Sequence, residues 1–277
     1  MGFINSGACK PEGNSGVIFS SKPHGKTEVR SLSVIMPCYN EECLVKETIC
    51  SYYKEVIEKI DDSEFIVIDD CSTDGTPDIL MRMRSEYPKL KIIRQPVNKG
   101  HGQALMLGYQ SATKDFIFNI DSDNCFKAAE FWKLYNLRYK AGLISGYRIK
   151  RQDCLIRKVI AKSLRYLNYA LFGVDFKDAN CPFKLIRRVD LEGVLGLLSP
   201  VVAIPSVMLN ILLAYKNNAS VIEIPVEYHL SPLRKSSLTN LRLAKLCLLG
   251  SRDILTLWFD LKFRPSRITS FKMRLEI

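Results

Sequence analysis

Three short apolar runs, each passing directly into a cluster of polar residues, constrain this chain more than any other feature. Residues 32–36 lead into Pro37-Cys38-Tyr39-Asn40-Glu41. Residues 64–68 lead into Asp69-Asp70-Cys71-Ser72-Thr73-Asp74-Gly75. Residues 116–120 lead into Asp121-Ser122-Asp123. Apolar runs this short read as buried strands. Residues 41–60, 79–87, 102–112 and 128–140 have helical spacing, and 90–94 and 143–147 read as further strands. Alternating strands and helices of this length predict βαβ units and a mostly parallel sheet. Ligands of such sheets bind beyond the carboxyl ends of the strands. The three polar clusters are therefore expected to converge on one crevice.

Beyond residue 150 the alternation loosens. Residues 154–172 read as helix, 183–187 and 221–226 as strands, and 238–262 as one or two amphipathic, basic helices. Lys and Arg number 40 against 29 Asp and Glu, a formal charge of +11. Such an excess points to an anionic partner: nucleotide phosphates, a lipid phosphate, a membrane surface or nucleic acid. The nine cysteines are irregularly spaced without a CxxC pair, and there are three histidines. That is neither a disulfide framework nor a zinc site, and it fits a reducing cytosol. Residues 1–30 lack the apolar core of a signal peptide and are expected to be a mobile tail. The apolar stretch 194–214 is broken by Pro200 and Pro205. The stretch 241–261 is broken by Arg242, Lys245, Arg252, Asp253 and Asp260. Neither reaches the ~20 uninterrupted apolar residues of a transmembrane helix.

Asp121 and Asp123, one residue apart at a strand end, can hold a hard divalent ion such as Mg²⁺ or Mn²⁺, which prefers oxygen ligands and also binds phosphates. Asp-x-Asp is common in solvated turns, and it is the position after Phe-Ile-Phe-Asn-Ile that singles this pair out. A carboxylate at Asp69 or Asp70 can accept hydrogen bonds from a nucleotide base, while Asp70, Ser72 and Asp74 can equally cap a helix. Tyr39 can stack on a base or ribose, and Glu41 opens a helix. Asn98-Lys99-Gly100-His101-Gly102 lets backbone approach a ligand closely, but lacks the Gly-Lys-Ser/Thr order of a Walker A loop.

Together these segments resemble glycosyltransferase family 2. LSVIMPCYNEE is similar to the family's opening strand and turn, and FIVIDDCSTDGT to its base-binding strand. NKGHGQALMLGY resembles its loop and helix, and FIFNIDSDN its metal-binding strand. The resemblance runs from about residue 31 to 238. It implies an α/β glycosyltransferase A-type fold, with a Rossmann-like, mostly parallel central sheet flanked by helices. Residues 31–237 would form this catalytic domain, after the tail 1–30 and before a basic helical segment 238–277. Within the family the chain looks most like the polyprenol-phosphate mannosyl- and glucosyltransferases. Arg148 matches an Arg after their fifth strand. Asp178-Ala179-Asn180-Cys181-Pro182-Phe183-Lys184 resembles their Asp-x-x-x-Gly-Phe-Lys/Arg segment. Glu223-Ile224-Pro225-Val226 and the basic loop Arg234-Lys235-Ser236-Ser237 also have counterparts.

The resemblance implies an inverting, metal-dependent transfer of a sugar from GDP-mannose or a UDP-sugar to a polyprenyl phosphate, in cell-envelope or glycan biosynthesis. On it, Pro37, Tyr39, Glu41 and Asp69 bind the donor, and Asp121 contacts ribose or sugar. Asp123 binds the metal. Arg148, Arg234 and Lys235 steady the donor phosphates. Lys184 and Arg187 would hold the acceptor phosphate, with Lys150, Arg151, Arg157 and Arg188 as further cations. Nucleic acid is not an expected partner. Several positions depart from the pattern. Cys125 stands where Gln often helps hold the ion, Pro182 stands where Gly is usual, and the loop 234–237 lacks its Gly. The carboxylate base expected near Ser206–Asn210 is missing. A hydroxyl acceptor needs a general base, whereas a phosphate monoester is already ionised near neutral pH. The missing base thus favours a lipid phosphate over a glycan hydroxyl acceptor, and with Cys125 and Pro182 it equally fits the other alternative, a non-catalytic nucleotide-sugar-binding homologue. A peripheral place on the cytosolic face of an anionic membrane follows, with Trp258 and Phe259 at the headgroups. The same segment, 238–262, reads equally as a helix packed on the sheet.

Overall fold

The computed structural model describes residues 31–149, 155–198, 203–216, 219–229 and 240–263. Its strands are β1 (Leu32–Cys38), β2 (Ser63–Asp69), β3 (Leu90–Arg94), β4 (Phe116–Asn119), β5 (Leu143–Ile149), β6 (Lys184–Arg187) and β7 (Val221–Glu227). They form one sheet in the order β3-β2-β1-β4-β6-β5-β7. All pairings are parallel except those of β6, which runs against both β4 and β5. The helices are α1 (Val45–Tyr52), α2 (Thr76–Glu86), α3 (His101–Ser111), α4 (Phe131–Tyr135), α5 (Leu155–Phe172), α6 (Arg188–Leu195), α7 (Pro205–Ile211) and α8 (Asn240–Phe263).

Both faces of the sheet are covered, so the central strands are apolar at nearly every position rather than at alternate ones. Val34 and Met36 of β1 enter one core with Ile49 and Tyr52 of α1, Leu80 of α2 and Phe131 of α4. Ile35, between them, points into a second core with Leu105 of α3, Leu191 of α6, Leu209 of α7 and Ile254 of α8. The period of two along the strand thus sorts one apolar run into two layers.

Strand β1 does not stop before Pro37, as the sequence leads one to expect, but pairs with β2 as far as Cys38. Ile35 O accepts from Ile120 N, so Ile35 and Pro37 face β4. Pairing with β4 ends at Ile35 opposite Asn119. The N–H that proline lacks therefore falls where no ladder partner stands, and a central strand tolerates it. The helix expected over 41–60 starts at Val45 and changes to a π-helical turn at Tyr53–Ile57. Helices α6 and α7 fall partly in the stretch 194–214, whose apolar run carries no clear helical period.

Among the described residues no helix is long and apolar enough to cross a membrane. Helix α8 buries Gly250, Ile254 and Leu257 and turns Leu248 outward, 74% exposed, with Leu255, Phe259 and Phe263. Asp253 does not face solvent freely, since its carboxylate accepts from Ala203 N at 2.8 Å.

Two positions fix how the second half of the sheet packs. A Cβ on Gly146 of β5 would stand 2.8 Å from Val226 Cγ2 and 3.2 Å from Phe183 O. Lys184 opens β6 and is 0% exposed. Its ammonium lies 3.3 Å from both Ala179 O and Ser206 O and also meets Ser206 Oγ, and these oxygens are all uncharged. Burial pulls its pKa down to about 8.

Gly146→Ala is expected to cost about 1–3 kcal/mol of stability through overpacking, read by urea unfolding; an unchanged midpoint would contradict the close β5–β7 contact. Lys184 makes stability depend on pH. Its folded pKa of about 8 lies below the ordinary 10.5, so between these pH values the unfolded chain binds more protons and stability rises with pH. Relative to Lys184→Met, the parent should gain on the order of 3 kcal/mol from pH 8 to 10.5 and nothing below pH ~7. A parent-minus-variant difference that stays flat across that range would refute the buried, neutral-leaning amine.

Candidate active site

The carboxyl ends of β1, β2 and β4 lie side by side, and each leads into a turn containing a left-handed residue. These are Asn40 (φ 54), Cys71 (φ 61) and Asn124 (φ 51). Asn adopts this conformation more readily than Cys, whose presence there is uncommon. Such residues gather where backbone is bent sharply to form a site.

The first two turns are stitched together. Asn40 N donates to Ser72 Oγ (2.9 Å), Thr73 N to Asn40 Oδ1 (2.8 Å), and Glu41 N to Thr76 Oγ1 (2.9 Å). Glu42 N donates to Asp74 Oδ2 (3.2 Å), and Gly75 N donates back to Glu42 Oε2 (2.8 Å). Glu41 O receives Leu44 N and Val45 N, which starts α1. Beside this seam Pro37 is buried and Tyr39 stands 45% exposed at the crevice.

Asp69 and Asp70 have separate tasks. Asp70 is buried and accepts from Gln95 Nε2 (2.8 Å), Lys99 N (2.8 Å) and Gly100 N (2.7 Å). It fastens the loop before α3, where Gly100 has φ 88, a conformation suited to glycine. From the sequence Asp70 can be a cap or a base reader; its neighbourhood to Gly100 is a tertiary fact that spacing does not reveal. Asp69 receives Ser72 N on Oδ1 (2.9 Å). Its Oδ2 is buried without a hydrogen bond, and Arg94 Nε stands 3.3 Å away as an ion pair. Arg94 Nη2 also donates to Ser72 O (3.0 Å). Arg94 was not foreseen; ending β3, beside the end of β2, was its only signal.

Asp121 and Asp123 follow β4, with Asp123 almost buried and its Oδ1 accepting from Cys125 N (3.3 Å). The Cys125 thiol is buried in the core rather than presented at the crevice. The carboxylates make the crevice acidic, and neighbouring groups register it. Burial, then Glu41, Asp69 and Asp74, hold the Cys38 thiol far above its ordinary pKa. Burial, then Asp123 and Asp121, do the same to Tyr52, and burial with Asp121 to Tyr109. Among the described residues no three His, Cys, Asp or Glu side chains form a metal-holding group. The donor set is hard oxygen from the Asp121–Asp123 turn. It fits Mg²⁺ or Mn²⁺ only if substrate oxygens and water complete the sphere, as is usual for Mg²⁺ on a phosphate substrate.

Arg148 ends near this edge on β5. Its Nε and Nη2 form a bidentate pair with Asp178 (2.7 and 2.9 Å), and its guanidinium lies 5.4 Å from the Tyr228 ring. Burial works against its charge, yet Asp178 holds its pKa above the ordinary value. Arg148 therefore fixes the turn at Asp178–Cys181. Glu223 anchors the same segment from β7, accepting Lys177 N (3.0 Å). Asn119, also unforeseen, donates to Pro182 O (2.8 Å) and ties that turn to β4.

Among the described residues, Lys184 and Arg187, expected to hold an acceptor phosphate, lie apart. Because β6 is antiparallel, Lys184 lies opposite Asn119 at the crevice end and Arg187 opposite Phe116 at the far end of the sheet. Arg187 pairs there with Asp190 (2.6 Å), and Arg188 pairs with Glu192 (2.6 Å). Arg187 is thereby corrected as a crevice residue, and Lys184 is within reach of the crevice but fully buried. Lys150, Arg151, Arg234 and Lys235, and the side chain of Arg157, lie outside the described residues.

The model of the family described as Glycosyl transferase family 2 matches residues 33–194. An undecaprenyl-phosphate 4-deoxy-4-formamido-L-arabinose transferase of Pectobacterium atrosepticum is 29% identical over 168 residues, 58% of this chain and 50% of the relative. A dolichyl-phosphate beta-glucosyltransferase of Trichomonas vaginalis is 29% identical over 175 residues, 57% of this chain and 53% of the relative. The chain spans about half the length of these relatives. Among solved structures, glucosyl-3-phosphoglycerate synthase from Mycobacterium tuberculosis superposes with a TM-score of 0.59 at 18% identity, covering 83% of this chain and 79% of the other. The same enzyme in complex with Mn²⁺ and UDP-glucose gives a TM-score of 0.58 at 17% identity, covering 83% and 78%. The fold is the glycosyltransferase A type, and the chain belongs to glycosyl transferase family 2.

Proposed function

We propose that this chain moves a sugar from a uridine-type nucleotide sugar to a polyprenyl phosphate, with inversion at the anomeric carbon. The observation that carries the acceptor is the start of α7, where a base would be needed for a hydroxyl. Ser206 there meets the Lys184 ammonium, and Asn210, fully buried, donates to Ala179 O (3.0 Å). The position is filled by a buried polar plug without a carboxylate. An ionised phosphate oxygen needs no such base. It forms the new bond to the anomeric carbon as the bond to the donor's β-phosphate oxygen breaks, and the nucleoside diphosphate leaves with that electron pair. The similarity to lipid-phosphate sugar transferases supports the same reading.

The donor base follows from Asp69. Oδ1 is taken by Ser72 N, so one oxygen remains beside Arg94. Uracil offers one N–H between two carbonyls, which suits one acceptor and an adjacent donor. Guanine offers neighbouring N–H groups that call for both carboxylate oxygens. Tyr39 stacks on the nucleoside and Asp121 contacts ribose or sugar. An acidic crevice repels a diphosphate, so Asp123 would hold Mg²⁺ or Mn²⁺ there; a bound divalent ion supplies charge neutralisation on the leaving diphosphate. Arg148, Arg234 and Lys235 are proposed to steady the phosphates. The outward face of α8, with Leu248, Leu255 and Phe259 beside Arg252 and Lys262, would rest on an anionic membrane surface.

The test is transfer of label from UDP-glucose or GDP-mannose to a short polyprenyl phosphate with Mg²⁺ or Mn²⁺. The expected outcome is metal-dependent label in the organic phase from the UDP-sugar, reduced at least ~100-fold, the scale of lost transition-state charge stabilisation, by Asp123→Ala. Donor binding without any transfer to lipid would overturn the acceptor and leave a glycan hydroxyl or a non-catalytic binder.

A further inference from the structure

The turn that carries Asp123 is held from behind by one helix. Thr48 and Tyr52 lie four residues apart on α1, hence on one face and one turn from each other. Both are buried, 0% and 1% exposed. The Thr48 hydroxyl is within hydrogen-bond distance of Ser122 O (3.1 Å) and of Leu44 O in its own helix (3.0 Å). The Tyr52 hydroxyl donates to Phe126 O (3.3 Å), and its ring packs on Phe118 of β4 at 6.2 Å. The two carbonyls bracket the segment Asp123-Asn124-Cys125, whose middle residue is left-handed. On the other side His229 N donates to Cys125 O (2.9 Å) from just after β7. Directly after Tyr52 the helix becomes a π-turn, a departure that often accompanies a side chain placed for a purpose.

Neither hydroxyl is needed for packing alone. Phenylalanine would fill the Tyr52 site, and valine the Thr48 site, in a fully apolar surrounding. Each polar group instead meets a main-chain carbonyl of the one turn that must keep a carboxylate in place beside a nucleotide. Residues that orient a metal ligand without touching the metal commonly govern its affinity.

We propose that Thr48 and Tyr52 are positioning residues, which clamp both ends of the Ser122–Phe126 turn and so set the direction of the Asp123 carboxylate toward a divalent cation. The proposal rests on Asp123 being the cation ligand. Its effect belongs to cation affinity and not to the chemical step.

The experiment measures free Mn²⁺ by electron paramagnetic resonance as the full chain is titrated in the presence of UDP. The parent, Tyr52→Phe, Thr48→Val, Thr48→Ser and the Tyr52→Phe/Thr48→Val pair are compared, each with its urea midpoint. The expected result is Mn²⁺ affinity weakened about 10-fold in Tyr52→Phe and Thr48→Val, further in the pair, and restored in Thr48→Ser, with transfer at saturating Mn²⁺ preserved. Unchanged affinity in the folded Tyr52→Phe and Thr48→Val proteins would overturn the clamp while leaving Asp123 as ligand. A parent that binds no Mn²⁺ with UDP would instead remove the cation reading of Asp123, and the clamp with it.

Discussion

The seam between the turn after β1 and the turn after β2 is the constraint from which the rest of the site follows. Parallel strands end at a common edge, and there the chain must satisfy main-chain groups that no ladder partner reaches. Asn40, Ser72, Thr73 and Thr76 do so for one another across the gap. Side chains that serve as turn formers in sequence thus serve as cross-links in space. The seam holds Tyr39 outward and Asp69 inward, and Asp69 in turn holds Ser72. Asp70, one residue on, extends the same rigid edge to Gly100 and the start of α3.

The second half of the sheet is joined to this edge through a different device. Strand β6 enters antiparallel between β4 and β5, and its first residue, Lys184, binds Ala179 O and Ser206 within the protein. Asn119 binds Pro182 O, and Arg148 binds Asp178. These contacts converge on the turn at 178–182, so the two parts of the sheet share one joint of buried polar groups. Such groups are costly if left unmatched, and their pairing makes the relation between the halves specific. The price is a buried lysine whose charge the surroundings resist.

Much of this was legible in the sequence. The strand β3 coincides with the expected 90–94, and the three polar clusters lie at one edge because parallel strands leave no other arrangement. The family resemblance, resting on LSVIMPCYNEE, FIVIDDCSTDGT and FIFNIDSDN, is matched by the family model. What escaped were consequences of strand direction and of tertiary proximity. Lys184 and Arg187 are three residues apart in a short strand, and sequence does not say that this strand runs backward and carries them to opposite ends. Arg94 beside Asp69, Asp70 beneath Gly100, and Thr48 and Tyr52 beneath the Asp123 turn all join residues separated by helices. Helical spacing over 41–60 does not single out Thr48 or Tyr52, whose partners lie in the turn after β4.

The central claim is that the edge formed by β1, β2 and β4 is a nucleotide site read by Asp69. Isothermal titration of UDP and GDP into the parent and Asp69→Ala proteins, with Mn²⁺ present, measures it without any assumption about acceptor or turnover. The account predicts that UDP binds the parent more tightly than GDP and that Asp69→Ala loses about 10-fold or more of the UDP affinity, the scale of a charge-assisted hydrogen bond. Equal binding of both nucleotides, or UDP binding indifferent to Asp69, would contradict it.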